Sequence, residues 1–84
     1  MPSARTSGKN ARKARKEGGL AKTFGENVRR VRKGRDLSQE ALADDVGLAV
    51  TYVGQIERGT RNPTLDIVER LARALKVKPL DLLQ

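Results

Sequence analysis

Lysine and arginine are the residues of this sequence with the most chemistry to offer, and that chemistry is anion binding. There are 18 of them against 10 carboxylates, which leaves the 84-residue chain at +8 with a pI near 10.6. Such a balance directs a small chain toward a polyanion, either nucleic acid or an acidic membrane surface. Other chemistries are closed by missing residues. With no cysteine and no histidine, nucleophilic triads and zinc sites lack their usual groups. The carboxylates remain for acid–base work, but one Phe, one Tyr and no Trp give little to line a substrate pocket. The composition points to a binding protein and not an enzyme, with no cofactor, metal or small-molecule ligand expected.

The apolar runs are too short to span a bilayer, and the basic N-terminus has no hydrophobic stretch of the secretory kind. A cytoplasmic location is the resulting expectation, and the missing cysteines fit it. A membrane-surface peptide would need an aromatic and apolar face that this chain lacks.

The positive charge is unevenly spread. Residues 1–23 hold seven Lys or Arg and one Glu, with Leu20 as the one large aliphatic side chain beyond the initial Met; residues 24–84 hold eleven basic and nine acidic residues and nearly all the Leu, Val and Ile. The first segment cannot bury enough surface to offset its ordering entropy. It is expected to be a disordered basic tail, with 24–84 as the folded domain. A single domain of this size has only a modest core.

The folded part reads as helices throughout. Phe24, Val28 and Val31 recur at i, i+4 and i+7, one face of a first helix ending near Gly34. Ser38 is a good N-cap for a second helix, with Leu42, Ala43 and Val46 inward and Gly47 as its left-handed terminator. A third helix is expected from about Val50 to Arg58, with Val53 and Ile56 inward and Gly59 closing it. After the turn Arg61-Asn62-Pro63, Thr64 caps a fourth helix whose apolar stripe is Leu65, Val68, Leu71, Ala72 and Leu75. Pro79 opens a last short helix with Leu80 and Leu83. No alternating strand pattern and no repeat interrupts this. An all-α, compact five-helix bundle follows.

Two short helices joined by a tight glycine-containing turn match the helix-turn-helix pattern, which small bundles often contain. The longer string from Leu37 to Leu75 is more specific. Ser38-Gln39-Glu40-x-Leu42-Ala43, then Ile56-Glu57-Arg58-Gly59, then Arg61-Asn62-Pro63 occur together, and in these the chain resembles the phage-repressor and Cro group of helix-turn-helix domains, the XRE type. The resemblance runs from Phe24 to Leu83 and leaves out the tail. It implies a lambda-repressor-like bundle and DNA binding.

By that resemblance, Val50, Thr51 and Gln55 read bases. Gln55 can offer a bidentate donor–acceptor pair to adenine, while the methyls of Val50 and Thr51 suit a thymine methyl. Gln39 stands at a helix N-terminus, where unpaired N–H groups favour a phosphate. Resemblance places it on the DNA backbone, with Tyr52, Arg58, Arg61, Asn62 and Thr64 as further backbone contacts. Glu57 would repel phosphates unless paired, and the resemblance supplies Arg32 as its partner in a structural ion pair.

Two positions depart from the family pattern. Ala49 stands where Ser or Thr usually caps the third helix, a loss of roughly 1 kcal/mol. Gly54 replaces a common Ser in mid-helix, at ~1 kcal/mol of propensity relative to Ala. Close packing on the second helix or on the DNA backbone would account for the glycine.

The resemblance also implies a two-fold dimer on a palindrome. Val77, Leu80, Leu82 and Leu83 form an apolar patch larger than one short helix needs, and it is the expected dimer interface, the alternative being that these leucines close the core beneath the fourth helix. The expected function is a transcription regulator, such as a repressor, occupying a palindromic operator on double-stranded DNA. Compact controllers of restriction–modification operons have this kind of architecture. An alternative of a different class is an antitoxin that neutralises a toxin and autoregulates its operon, for which the tail is the only candidate toxin-binding segment. The cluster Lys9-Asn10-Ala11-Arg12-Lys13-Ala14-Arg15-Lys16 is either an arm that follows phosphates or a solvated extension that raises nonspecific affinity.

Overall fold

The computed structural model describes residues 19–84, and most of the basic segment, together with the reading of it as a disordered tail, lies outside the described residues. Among the described residues five α-helices follow one another: α1 Gly19–Gly34, α2 Gln39–Val46, α3 Val50–Glu57, α4 Leu65–Leu75 and α5 Pro79–Leu83. There is no strand among the described residues. The α1 helix packs across α3 and α5, α2 against α3 and α4, and α4 against α5.

Local chemistry sets most of the boundaries. Ser38 Oγ accepts the Ala41 N–H at 3.0 Å, and Thr64 Oγ1 accepts the Ile67 N–H at 3.2 Å, so each hydroxyl satisfies a donor that its helix leaves open. Gly47 ends α2 at φ +72°, a conformation that costs glycine nothing. The α5 helix is short, and Asp81 Oδ2 accepts the Lys78 N–H at its start.

The core is built from Phe24 and Val28 of α1, Leu42, Ala43 and Val46 of α2, and Val53 and Ile56 of α3. It is completed by Val68, Leu71, Ala72 and Leu75 of α4 and Leu82 of α5. Val31, Val77 and Leu83 pack at its margin.

Three expectations need correction. The α1 helix begins at Gly19 and not near Phe24, so residues 19–23 belong to the folded domain. Leu20, Ala21 and Lys22 are good helix formers, and this first turn rests on the loop after α3, a contact no periodicity reveals. Leu65 is 83% exposed; it is the first residue of α4, one turn ahead of the covered part of the stripe. Leu82 is fully buried, and its carbonyl accepts Asn27 Nδ2 at 2.9 Å. It closes the monomer core and is not available to a dimer surface.

Candidate nucleic-acid interface

The α2–turn–α3 unit is held as one piece by a buried polar network. Glu57, the last residue of α3, receives Arg32 Nε on Oε2 at 2.6 Å and Arg32 Nη2 on Oε1 at 3.0 Å. Gln39, the first residue of α2, donates Nε2 to the same Oε1 at 3.0 Å. Arg32 also donates Nη1 to the Leu37 carbonyl at 2.8 Å, tying in the α1–α2 connection. Burial pushes the Glu57 carboxyl up, but hydrogen bonds from Arg32 and Gln39 and the Arg32 charge outweigh it and hold it below the ordinary carboxylate range. The hydrogen bond to Glu57 in turn raises the Arg32 guanidinium pKa above its usual value. The one carboxylate at the end of α3 is thus neutralised inside the protein.

Gln39 Nε2 carries two protons and Glu57 takes one, so the second stays available beside the N-terminus of α2. The same amide lies along Gly54, whose missing Cβ would come no nearer than 3.8 Å to it. No backbone atom of α2 crowds Gly54, so close helix packing does not explain the glycine. Gly25 is different. A Cβ there would overlap the carbonyl oxygen of Ile56 and stand 3.0 Å from that of Glu57. That near-contact of backbones sets how α3 lies on α1. Sequence reading missed it, because a lone glycine in a helix looks like a defect.

The outward face of α3 presents Val50 and Thr51, both exposed, with Gln55 half-buried behind them. Ala49 caps the helix without a side-chain hydrogen bond. Half-buried Tyr52 lies under Arg61, whose guanidinium carbon is 5.0 Å from the ring centroid, within cation–π range. Arg58, Arg61, Asn62 and Thr64 are all exposed on the loop after α3. Neither Arg58 nor Arg61 joins an ion pair among the described residues, where the pairs are Arg32–Glu57 and Arg70–Asp66. Thr60, not singled out from the sequence, donates Oγ1 to the Gln55 carbonyl at 3.1 Å and fixes the start of this loop. Its place beside Gly59 was the only available signal.

Of the residues expected at a dimer surface, Leu80 is 59% exposed, while Val77 and Leu83 are half-buried against the core. A short helix with small and amide side chains outward, next to a cationic loop, suits a groove walled by phosphates.

Fold and site together define a helix-turn-helix domain. A helix-turn-helix family profile matches residues 28–82. The chain belongs to this helix-turn-helix family, of the XRE type. It is 52% identical over 48 residues to the control protein C.BamHI of Bacillus amyloliquefaciens, a match over 57% of this chain and 59% of that one. The alignment thus spans little more than half of that relative. Among solved structures, the restriction-modification controller protein C.AhdI from Aeromonas hydrophila superposes with a TM-score of 0.71 at 44% identity, covering 74% of this chain and 94% of that one. The biofilm regulator SinR, solved in complex with DNA, gives a TM-score of 0.69 at 31% identity over 73% of this chain and 98% of that one.

Proposed function

We propose that the chain is a sequence-specific transcription regulator that binds double-stranded DNA as a dimer, in the manner of a restriction–modification controller. The observation that carries this reading is the Gln39–Glu57–Arg32 network. It fixes α3 relative to α2 and cancels the only carboxylate of α3, while Val50, Thr51 and Gln55 stay on the accessible side. On this reading those three side chains meet base edges. Gln39, Tyr52, Arg58, Arg61, Asn62 and Thr64 meet the sugar–phosphate backbone and set register. The likeness to C.BamHI and C.AhdI supports the controller assignment.

One such domain covers half an operator. Two copies joined through Leu80, Leu83 and Val77 would address half-sites about one helical turn (~34 Å) apart. Selection of bound sequences from random duplex DNA, repeated at two salt concentrations, tests the proposal. The expected result is a palindromic motif that survives the higher salt. Binding that is blind to sequence and disappears with salt would refute it, since only a basic surface would then remain.

A further inference from the structure

We infer that the side of α1 packed on the end of α3 carries further backbone contacts to the bound duplex, in which Lys22 and Arg29 each neutralise a phosphate beyond those met by the loop after α3; this rests on the DNA-binding function proposed above. In the sequence the two are simply members of a set of 18 Lys and Arg. Their position in the fold sets them apart.

Residues 22, 25, 29 and 32 recur at i, i+3, i+7 and i+10, so they share one side of α1. Gly25 and Arg32 are the buried pair of this side. The first lies against the carbonyls of Ile56 and Glu57, and the second is ion-paired to Glu57. Lys22 and Arg29 are exposed on the same side. Lys22 meets the loop that leaves α3: a Cβ on Gly59 would stand 3.0 Å from Lys22 Cα and 3.3 Å from Lys22 Cβ. Gly59 adopts φ +77°, so its lack of a side chain serves both the turn and this close approach. Arg29 lies near the end of α3. Burial pushes the Glu57 carboxyl up, Arg32 and Gln39 bring it down, and the Arg29 charge is close enough to add to the lowering.

Exposed Arg58 and Arg61 flank Gly59 in the chain. Cations from two separate elements thus gather around the C-terminal end of α3, and none of the four joins an ion pair among the described residues, where the pairs are Arg32–Glu57 and Arg70–Asp66. Glu57 is already spent on Arg32 and Gln39, and Glu26 of α1 pairs with neither Lys22 nor Arg29. Like charges held together without a counter-charge repel, and they gain most from an anion brought from outside. A duplex seated on α3 brings a row of phosphates. The other side of α1 is arranged differently. Arg30 Nη2 donates to Asn27 Oδ1 at 3.2 Å, and Asn27 holds the Leu82 carbonyl, so that cation stands on the side of α5. Phosphate contacts on α1 strengthen binding to every sequence alike by counterion release, while Gln55 and its neighbours discriminate.

The experiment uses the full chain with Lys22→Gln and Arg29→Gln combined, beside the unaltered chain, Arg30→Gln, and the charge-keeping pair Lys22→Arg with Arg29→Lys. Circular dichroism first establishes that each is folded. Each is then titrated onto the selected duplex over a range of salt concentrations. In the neutralised pair the slope of log K against log salt is expected to become shallower by up to ~1.8, at about 0.9 per phosphate contact, with sequence preference kept. The charge-keeping pair should retain the slope, and Arg30→Gln should leave it near that of the unaltered chain. Equal slopes for the unaltered chain and the neutralised pair would overturn the α1 contact and leave the α3 reading intact. A loss in Arg30→Gln as large as that per residue in the neutralised pair would also overturn it, since net charge alone would then be at work. Failure of the unaltered chain to prefer any duplex would remove both readings.

Discussion

Arg32 and Glu57 stand 25 positions apart in the chain and meet in a two-pronged ion pair at 2.6 and 3.0 Å. Their side chains are 9% and 3% exposed. The pair joins the C-terminal end of α3 to α1, and through Gln39 it reaches the N-terminus of α2. A buried pair is weak evidence for net stability, because both charges lose water. Its consequence here is geometric. Both carboxylate oxygens of Glu57 have partners inside the protein, and these tie the end of α3 to α1 and α2.

Removing one partner leaves the other charge buried and alone. Glu57→Gln is expected to lower unfolding stability by about 3–5 kcal/mol at neutral pH, read from urea denaturation. The pH dependence carries a definite sign. Folded Glu57 holds its proton more weakly than a free carboxyl, so its contribution is complete above the unfolded value of ~4.3 and is lost as pH falls through the lower folded value. The gap between the unaltered protein and Glu57→Gln should therefore narrow on acidification through this range. A gap that stays constant down to low pH would contradict the role assigned to the carboxylate.

Gly25→Ala is expected to be destabilising although alanine is the better helix former. The added methyl meets the backbone carbonyls of Ile56 and Glu57, which no rotamer change can move. An overpacking cost of ~1–3 kcal/mol or more outweighs a propensity gain of ~1 kcal/mol. A raised melting temperature would show that the α1–α3 approach is looser than described.

Gly54→Ala should have the opposite effect. Its Cβ would meet the flexible Arg58 Nη1 at 3.4 Å and the Gln39 amide at 3.8–3.9 Å, ordinary contacts. A stability gain of ~1 kcal/mol is expected. Ala49→Ser, which restores a side-chain cap at the start of α3, should add ~1 kcal/mol more. Thermal unfolding of the two variants and their combination would check both.

Leu80→Glu and Leu82→Glu separate surface from core. Leu80 is 59% exposed and Leu82 is fully buried. The first substitution should leave the helical circular-dichroism signal intact and, on the dimer reading proposed above, halve the mass seen by light scattering. The second should unfold the domain, since it buries an unpaired charge. An undiminished mass for a folded Leu80→Glu protein would overturn the proposed dimer contact at Leu80.

Much of this protein is determined by short-range chemistry and was legible without coordinates. Ser38, Gly47 and Thr64 mark helix ends through hydrogen bonds and a backbone angle that involve only near neighbours. Most of the core follows from a 3.6-residue period, which is itself local. The motif residues of α2, α3 and the following loop were recognisable as a string. What periodicity cannot carry is which apolar residue a neighbouring helix happens to cover. Leu65 and Leu82 both fit an apolar stripe, yet one is 83% exposed and the other fully buried, because α4 starts beyond its cover and α5 turns Leu82 beneath α1 and α4. The five residues that extend α1 back to Gly19, and the need for glycine at 25, arise from contacts with α3 and its loop, more than 30 positions away. Those are tertiary facts, since a helix carries no record of the surface laid against it.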